Sequence, residues 1–275
     1  MNILTFVDPS PRGNWALQLA KEFSPKLATR IVLLATEVHV RADPGLLDRA
    51  EEGLEAPAGL VVEKKVRAGR PRRVIVEEAN AHPYEITIFP PAGRNSLQRL
   101  IHGSRIRTVV RKIPSSVLVA RRPAPRIRRI LAAISASAFG QTTVGAGLEI
   151  ARALGAELTA IHVLSNIPIP AGGPPSQGDS KAGGDSRMAQ LLEKAREEFR
   201  MHGLEPRILL RDGMVVEEVV HEVDAGAYDL LIVGHHIPQG ADLHQDLAER
   251  IILWCPIPVL VVQPRKVKAG VAQGR

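Results

Sequence analysis

The chain of 275 residues is 45% hydrophobic and 24% charged, which is ordinary for a globular protein of about two domains. It contains no apolar run of about 18 residues, so the sequence excludes a membrane-spanning helix. The single cysteine, Cys255, excludes a disulfide within the chain, and the first predicted strand leaves no room for a signal peptide. We therefore expect a cytoplasmic protein. Cys255 lies just before an apolar strand, and we interpret it as a core residue rather than a reactive thiol.

In the first half of the chain, predicted strands alternate with predicted helices. Apolar runs without polar alternation, such as Arg30–Ala35, are typical of strands that helices cover on both faces. Ser10 followed by Pro11 predicts a helix start with Ser10 as the N-cap. The predicted elements are a strand at Ile3–Val7, a helix from Pro11 to about Ser24, a strand at Arg30–Ala35, a short helix at Leu46–Leu54, a strand at Gly59–Val66, a helix at Pro71–Ala81, a strand at Glu85–Phe89, a helix at Leu97–Lys112 and a strand at Ser116–Ala120.

The second half repeats this order of elements. Residues 167–185 are rich in Gly, Pro and Ser, and we expect a flexible loop there. The predicted elements are a strand at Arg129–Ile134, a helix at Thr142–Leu154, a strand at Glu157–Leu164, a helix at Ser186–Met201, a strand at Arg207–Arg211, a helix at Val215–Ala225, a strand at Asp229–Val233, a helix at His244–Trp254 and a strand at Val259–Gln263.

The two halves are one pattern written twice, and we call them copy one and copy two. Gly69 and Gly213 are 144 positions apart, and so are Tyr84 and Tyr228. Strands that alternate with helices imply right-handed crossovers and parallel sheets. We therefore predict an α/β fold with two tandem doubly wound parallel-sheet domains. The predicted division is domain 1 at 1–123, domain 2 at 127–265 and a disordered tail at 266–275.

The net charge of +7 is unevenly distributed along the chain. No Asp or Glu stands between Glu85 and Glu149, and that stretch holds ten Arg and one Lys. The positive potential of this stretch favours an anionic partner, but a basic face exposed to solvent would explain the same composition. A nucleic-acid partner is not favoured, because aromatic residues make up only 3% of the chain and no duplex-reading motif is present.

The loop after the fourth predicted strand carries a phosphate-binding signal. In such sheets, ligands bind beyond the carboxyl ends of the strands where strand order reverses. This rule points to the loops at Asp8–Ser10, Ala35–Glu37 and Pro90–Ser104. Gly93 and Gly103 would let the backbone approach an anion closely. The next residue, Ser104, has a hydroxyl that could donate one more hydrogen bond. The same loop also carries the arginines Arg94, Arg99 and Arg105, which suit bidentate phosphate contacts. A turn glycine and a helix-packing glycine are the alternative explanation.

With this loop in that position, the chain resembles the universal stress protein family in a tandem two-domain form. The family pattern here is Gly, two residues, Gly, nine residues, Gly, then Ser or Thr. Copy one keeps Gly93, Gly103 and Ser104, whereas Pro90 replaces the first Gly. The family also has an Asp at the end of strand one that contacts the nucleotide, and Asp8 matches it. The family residue near the end of strand two that contacts adenine through its backbone falls at Thr36.

Copy two departs further from the family pattern. Ser135 stands where the strand-one Asp would be, and Gly234 matches the first Gly. The loop is then two residues shorter, with Gln245 and Asp246 at the Gly-Ser position, where Asp246 would repel phosphate. The resemblance therefore implies a nucleotide site in copy one and a degenerate one in copy two.

No nucleophile, base and orienting residue form an evident catalytic set, and the resemblance implies nucleotide binding with slow or no hydrolysis. The histidines His235, His236 and His244 lack the spacing of a metal site, and we interpret them as polar loop residues.

We hypothesise a regulatory protein in which copy one binds ATP or a related adenine nucleotide, with or without magnesium. The nucleotide-binding residues would be Asp8, Ser10, Thr36, Gly93, Arg94, Gly103, Ser104 and Arg105. Copy two would be structural or would dock an unknown protein partner. The fifth strands would pair the copies as an intramolecular pseudo-dimer, and two chains could pair again as a homodimer. The alternatives are a member that binds no nucleotide, which Pro90 motivates, a basic nucleic-acid binder and an ATP-consuming enzyme.

Overall fold

The structure, a computed structural model, describes residues 1–90, 109–123, 126–134, 138–164, 207–234 and 247–263, with some residues between 189 and 205. The strands are β1 (Asn2–Phe6), β2 (Arg30–Thr36), β3 (Val61–Arg67), β4 (Ile86–Phe89), β5 (Ser116–Val119), β6 (Arg129–Ala133), β7 (Glu157–Leu164), β8 (Arg207–Asp212), β9 (Leu230–Gly234) and β10 (Val259–Val262). The helices whose bounds lie within the described residues are α1 (Gly13–Leu27), α2 (Glu37–Ala42), α3 (Leu46–Leu54), α4 (Pro71–Ala81), α5 (Ala138–Leu154), α6 (Val215–Gly226) and α7 (Leu247–Trp254).

All ten strands form one sheet in the order β3-β2-β1-β4-β5-β10-β9-β6-β7-β8. Neighbouring strands are parallel within copy one and within copy two. In each copy the strand order reverses beside the first strand, as in doubly wound folds. The predicted α/β class with two parallel-sheet units is therefore confirmed.

The strands are apolar on both faces because helices cover both faces. Ile31 and Leu33 of β2 belong to one core cluster, with residues of α1, α3 and α5. Val32 and Leu34, which point the other way, belong to a second cluster with residues of α4, α6 and α7. Each cluster contains residues from both copies, so the two copies share their cores.

The two copies meet where β5 pairs with β10 in antiparallel orientation. Val117, Leu118 and Val119 lie opposite Val261, Leu260 and Val259, and at most 1% of each residue is exposed. Polar contacts flank this pair: Gln263 Nε2 donates to the Val110 carbonyl at 2.8 Å, and an Arg122 guanidinium nitrogen donates to the Tyr228 carbonyl at 2.9 Å. Because the copies are joined by a shared core, the boundaries 1–123 and 127–265 stay predictions.

The glycines that reveal the repeat in the sequence occupy equivalent turns. Gly69 and Gly213 each precede a helix, α4 and α6, and have φ values of 127° and 146°. A side chain is strongly disfavoured at such dihedrals, so glycine is needed at both turns.

One predicted helix has different bounds, and one helix was not predicted. Helix α1 begins at Gly13 with Arg12 at the cap position, not at Pro11 with Ser10 as N-cap, and it continues through Pro25 to Leu27 instead of ending near Ser24. Helix α2 was not predicted, because Val38 and Val40 alternate like strand residues and six residues are too few to show a helical period.

Several predicted segments lie outside the described residues. They are the loop 167–185, the tail 266–275 and most of the helices predicted at 97–112 and 186–201. Residues 109–112 and the described positions among 189–201 are helical. In the part of the chain that the structure describes, none of the helices has the length and apolar character needed to cross a membrane.

A buried carboxylate fastens the edge strand of copy one. Glu78 of α4 is fully buried and accepts hydrogen bonds from Lys65 Nζ at 2.8 Å, Arg67 Nε at 2.6 Å and the Tyr84 hydroxyl at 2.8 Å. Burial alone would raise the pKa of Glu78, but the bonds from Lys65, Tyr84 and Arg67 outweigh it and lower the pKa to about 2. The ionised carboxylate thus ties β3 to α4.

Copy two repeats this arrangement with one cation fewer. Glu222 accepts from the Tyr228 hydroxyl at 3.0 Å and from an Arg211 guanidinium nitrogen at 2.9 Å. Leu209 stands where the repeat would place a second cation equivalent to Lys65. The two carboxylates therefore form a matched pair for measuring what the extra lysine contributes.

We predict that Glu78→Gln lowers the free energy of unfolding by about 2–4 kcal/mol, because it leaves two cations beside a neutral amide. The matched variant Glu222→Gln should cost about 1–2 kcal/mol less, since it leaves one cation. Urea denaturation at neutral pH measures both. The folded pKa of Glu78 lies below its ordinary value of 4.5, so its stabilisation is complete above that pH and is lost as pH falls toward about 2. The gap between wild type and Glu78→Gln should therefore narrow over that interval, and a gap independent of pH would contradict the assignment.

The single cysteine is a core residue, as predicted. Only 1% of Cys255 is exposed, and it packs in the second core cluster with residues such as Ile257. Burial is the largest influence on the thiol and raises its pKa to about 11. Little thiolate is therefore present near neutral pH.

We predict that Cys255 does not react with a disulfide reagent such as dithionitrobenzoate in the native protein at pH 8. One thiol per chain should react at once when the protein is unfolded in guanidinium chloride. Rapid labelling of the folded protein, with its melting temperature unchanged, would show that the thiol is accessible after all.

Candidate functional site

The strands of copy one bring Asp8 and Thr36, two of the predicted binding residues, to the carboxyl ends of β1 and β2. Phe6 of β1 pairs with Leu34 of β2, and the Val7 N–H donates to the Leu34 carbonyl at 2.8 Å. This register, continued by two residues, sets Asp8 beside Thr36. Adjacent strands are about 4.8 Å apart, so the two backbones are neighbours at the point where strand order reverses.

The Asp8 side chain is held by its own loop through one of its two carboxylate oxygens. Its Oδ1 accepts from the Ser10 N–H at 2.8 Å and from the Ser10 hydroxyl. Among the described residues, no donor contacts Oδ2. A fixed carboxylate with an available oxygen can accept hydrogen bonds from the hydroxyls of a sugar.

Ser10 acts within this loop. Besides donating to Asp8, its hydroxyl accepts from the Gly13 N–H at 3.3 Å. These contacts brace the chain between β1 and α1. A direct contact between Ser10 and a nucleotide stays a prediction.

Gly13 allows the start of α1 to lie against the backbone of Asp8. A Cβ atom at position 13 would lie 2.1 Å from the Asp8 carbonyl oxygen, which no real side chain tolerates. Gly13 was not among the predicted site residues. The repeat contains a signal for it, because Gly140 stands at the equivalent position of copy two.

Thr36 ends β2 and its side chain is used by the protein itself. The residue is 1% exposed, and its hydroxyl accepts from the His39 N–H at 3.4 Å, which caps α2. The backbone at the end of the strand is therefore the part of Thr36 that fits the predicted contact with a base.

Helix α2 adds a histidine that the sequence analysis missed. The His39 ring packs edge-to-face on Phe6, with ring centroids 5.8 Å apart and planes at 62°. His39 thus reaches from the end of β2 across the end of β1. Within the described part of the chain, its Nδ1 is buried and has no hydrogen-bond partner.

The predicted phosphate-binding residues Gly93, Arg94, Gly103, Ser104 and Arg105 lie outside the described residues, in the segment 91–108. Pro90, just before them, is half-buried and by the β1–β4 register lies level with Val7. These residues stay predictions.

Copy two differs from copy one at the ends of its strands. The Ile134 N–H donates to the Ile161 carbonyl at 2.9 Å, which repeats the bond between Val7 and Leu34. The next residue of β7, His162, stands where copy one has Ala35, and its Nδ1 lies 2.9 Å from the Ile134 carbonyl oxygen. Both residues are buried, so a larger and polar side chain takes this position in copy two.

The other residues that distinguish copy two fall mainly in undescribed segments. Gly234 ends β9, whereas Ser135, Gln245 and Asp246 lie outside the described residues, as do His235, His236 and His244. Over the ranges that are described, no group of three or more His, Cys, Asp or Glu side chains could hold a metal ion.

Comparison with known proteins places the chain in a family. The sequence pattern described as the universal stress protein family matches it twice, at residues 1–121 and 126–263. The chain therefore belongs to the universal stress protein family and carries the family fold in two copies. No curated protein matches the chain to a significant degree.

Solved structures share the fold over nearly the whole chain. A protein of Pseudomonas aeruginosa PAO1 described as functionally unknown is 18% identical, with a TM-score of 0.72 over 96% of this chain and 92% of that one. A universal stress protein from Archaeoglobus fulgidus DSM 4304 is 17% identical, with a TM-score of 0.71 over 95% of this chain and 96% of that one. The cytoplasmic domain of a prokaryotic cation chloride cotransporter is 11% identical, with a TM-score of 0.59 over 94% of both chains. At these identities the likeness concerns the fold, and the fold does not select one function.

We predict that Gly13→Ala lowers the free energy of unfolding by about 2 kcal/mol or more, because the methyl group would collide with the Asp8 backbone. The matched control is Gly145→Ala in α5, where a Cβ would meet nothing within 4 Å. That variant should be neutral or gain up to about 1 kcal/mol from the better helix former. Equal effects of the two substitutions in denaturant titrations would mean that the contact between Gly13 and Asp8 is not tight.

Proposed function

We propose that this universal stress protein is a regulator that binds one adenine nucleotide, ATP or a related compound, in copy one. The observation that best supports this is the Asp8 carboxylate beside the end of β2, where strand order reverses: it is fixed through Oδ1, and none of the described residues donates to Oδ2. In doubly wound folds this crevice is where nucleotides bind.

The described residues suit the ribose and base side of a nucleotide. Asp8 Oδ2 would accept hydrogen bonds from ribose hydroxyls, and the Thr36 backbone would contact the base. Gly13 keeps α1 close to Asp8, so that the carboxylate is pre-organised. Ser10 would contribute by holding Asp8 in place.

The phosphates would be bound by the loop that follows β4. In the proposal, backbone N–H groups around Gly93 and Gly103 converge on the phosphate oxygens, and Ser104 donates one further bond. Arg94 and Arg105 would supply positive charge, and magnesium would neutralise part of the phosphate charge when ATP is the ligand. Pro90 has no N–H to donate, so this loop would make one contact fewer than the family pattern provides.

Copy two, in this proposal, is a structural half that also docks a protein partner. The larger His162 stands where copy one has Ala35, and Ser135 replaces the carboxylate, which supports a single nucleotide site per chain. We further propose that the protein acts in the cytoplasm by binding and releasing nucleotide, with at most slow hydrolysis. Pairing of whole chains into a homodimer stays a prediction.

Calorimetric titration of ATP into the intact protein, with and without magnesium, tests the proposal. We expect one site per chain and its loss in Gly103→Asp, because the new carboxylate would repel phosphate and block its approach. The matched control is Gln245→Asp, which adds the same charge at the corresponding position of copy two and should leave binding unchanged.

Other outcomes would redirect the proposal. Two sites per chain would show that copy two is a live nucleotide site, and a loss of one site in Gln245→Asp would locate it there. Absence of both binding heat and any shift of melting temperature with millimolar ATP would overturn nucleotide binding. The partner-binding alternative would then hold, with Pro90→Gly as the first variant to test for recovered binding.

A further inference from the structure

A cavity of about 310 Å³ lies where the two copies meet. It is lined by the end of α1, the end of α5, the start of β7 and the segment that joins the copies. Ile127 and Leu154 are buried and form its apolar part. Its charged lining residues are Lys26, Arg126, Arg128 and Glu157. Three cations and one carboxylate therefore share a space whose volume is in the lower range of small-molecule sites.

The segment that joins the copies is fixed by hydrogen bonds to both of them. The Ile127 N–H donates to Glu22 Oε1 of α1 at 3.2 Å. The Arg128 N–H donates to Asp229 Oδ2 in copy two at 2.9 Å. Ile127 is 1% exposed, whereas Arg126 and Arg128 on either side of it are exposed. Both arginines therefore extend from a fixed backbone on the side that solvent reaches.

The cations of the cavity keep most of their hydrogen-bond donors for a ligand. Among the described residues, no acceptor binds the guanidinium group of Arg126 or of Arg128. Lys26 Nζ donates to the Leu154 carbonyl at 3.1 Å, which uses one of its three donors. The carboxylate of Glu157 lies 3.7 Å from Arg129 Nε, which is not part of the lining. The lining therefore carries an excess of positive charge.

The cavity also has open space beside Gly155. This residue is exposed and follows the last residue of α5 with a φ of 67°, a conformation that favours glycine. In the described part of the chain, a Cβ built on Gly155 would meet nothing within 4 Å apart from its chain neighbours. An ion can therefore approach the cations from this side without displacing a side chain.

The repeated fold does not account for these cations. Lys26 lies thirteen residues after Gly13, and the residue thirteen after the equivalent Gly140 is Ala153. Arg126 belongs to the segment between the copies. The architecture that the two copies share therefore does not require a cation at either position.

We propose that this cavity binds a small oxyanion that carries several negative charges, such as pyrophosphate. Arginine guanidinium groups match the oxygens of phosphate and carboxylate groups, and the lysine adds a compact charge. A concave space of this size suits a small ion, since a protein partner needs a much larger contact area. The site is separate from the proposed nucleotide site, because α1 begins beside Asp8 and Lys26 lies about 20 Å further along the helix.

Two pairs of variants test the charge and the space of the cavity. Arg126→Gln/Arg128→Gln removes two exposed cations from it. The matched control, Arg70→Gln/Arg72→Gln, removes two exposed cations at the start of α4, on the opposite face of the sheet. Gly155→Asp and Gly155→Asn place side chains of nearly equal size in the open space, one charged and one neutral, and both residue types tolerate a positive φ.

Pyrophosphate and citrate are titrated calorimetrically at constant ionic strength into Gly103→Asp protein, so that the predicted phosphate loop of copy one does not contribute. Each variant is added to this background, and its melting temperature without ligand checks the fold. We expect one pyrophosphate per chain and about tenfold weaker binding in Arg126→Gln/Arg128→Gln, the value of one charge-assisted hydrogen bond. The control should bind unchanged. Gly155→Asp should bind more weakly than Gly155→Asn, because its carboxylate repels the anion.

The comparison of the two anions identifies the source of the oxyanion. Tighter binding of pyrophosphate would identify phosphorylated compounds as the natural ligands, and tighter binding of citrate would identify polycarboxylates. Absence of binding of both anions to the Gly103→Asp protein would overturn the inference. Equal losses in Arg126→Gln/Arg128→Gln and in its control would also overturn it, as would equal effects of Gly155→Asp and Gly155→Asn.

The nucleotide proposal is tested separately. With Gly103 intact, the Arg126→Gln/Arg128→Gln protein should bind ATP in copy one as wild type does. Failure of wild type to bind ATP would overturn nucleotide binding and leave the pyrophosphate result unaffected.

Discussion

The antiparallel pairing of β5 with β10 is the interaction on which the rest of the structure depends. It joins two parallel half-sheets into one sheet of ten strands, and it sits at the centre of both shared core clusters. Backbone hydrogen bonds give the pairing its direction, and the buried side chains of Val117–Val119 and Val259–Val261 remove apolar surface from water on both faces. Neither copy can be separated without exposing an unpaired strand and an apolar surface.

Because of this strand pairing, the contribution of copy two to the stability of the protein does not depend on ligand binding by copy two. Its strand β10 completes the sheet of copy one, and its helix α5 packs in the same core as α1. A copy that contributes so much buried surface supports the fold whether or not its own strand ends bind a ligand. Replacement of Ala35 by His162 and of Asp8 by Ser135 at equivalent positions is therefore compatible with an intact fold.

The sequence was sufficient to predict features that recur or that follow a clear period. The alternation of elements, the repeat and the bounds of α3 and α4 could be read from it, because apolar spacing and glycine turns at Gly69 and Gly213 are local signals. Asp8 and Thr36 could be located near the ends of the first two strands because apolar runs mark those strands. The start of α1 could not be predicted, because nothing in Ser10 or Pro11 indicates the close approach of Gly13 to the Asp8 backbone. His39 was missed because α2 is too short to show a period and its contact with Phe6 joins two strands.

Comparison of the copies distinguishes residues that serve the fold from residues that serve a ligand. Glu78 and Tyr84 recur as Glu222 and Tyr228 with the same hydrogen bond, so this pair belongs to the repeated architecture and not to a site in one copy. The bond from Val7 to Leu34 also recurs, between Ile134 and Ile161, which shows that the strand ends keep their register in both copies. Yet directly beside that unchanged backbone, the side chains differ. Since the register is the same, folding alone does not require an aspartate at position 8 or an alanine at position 35. The features confined to copy one are therefore the ones to examine for a ligand, and they converge on the ends of β1 and β2.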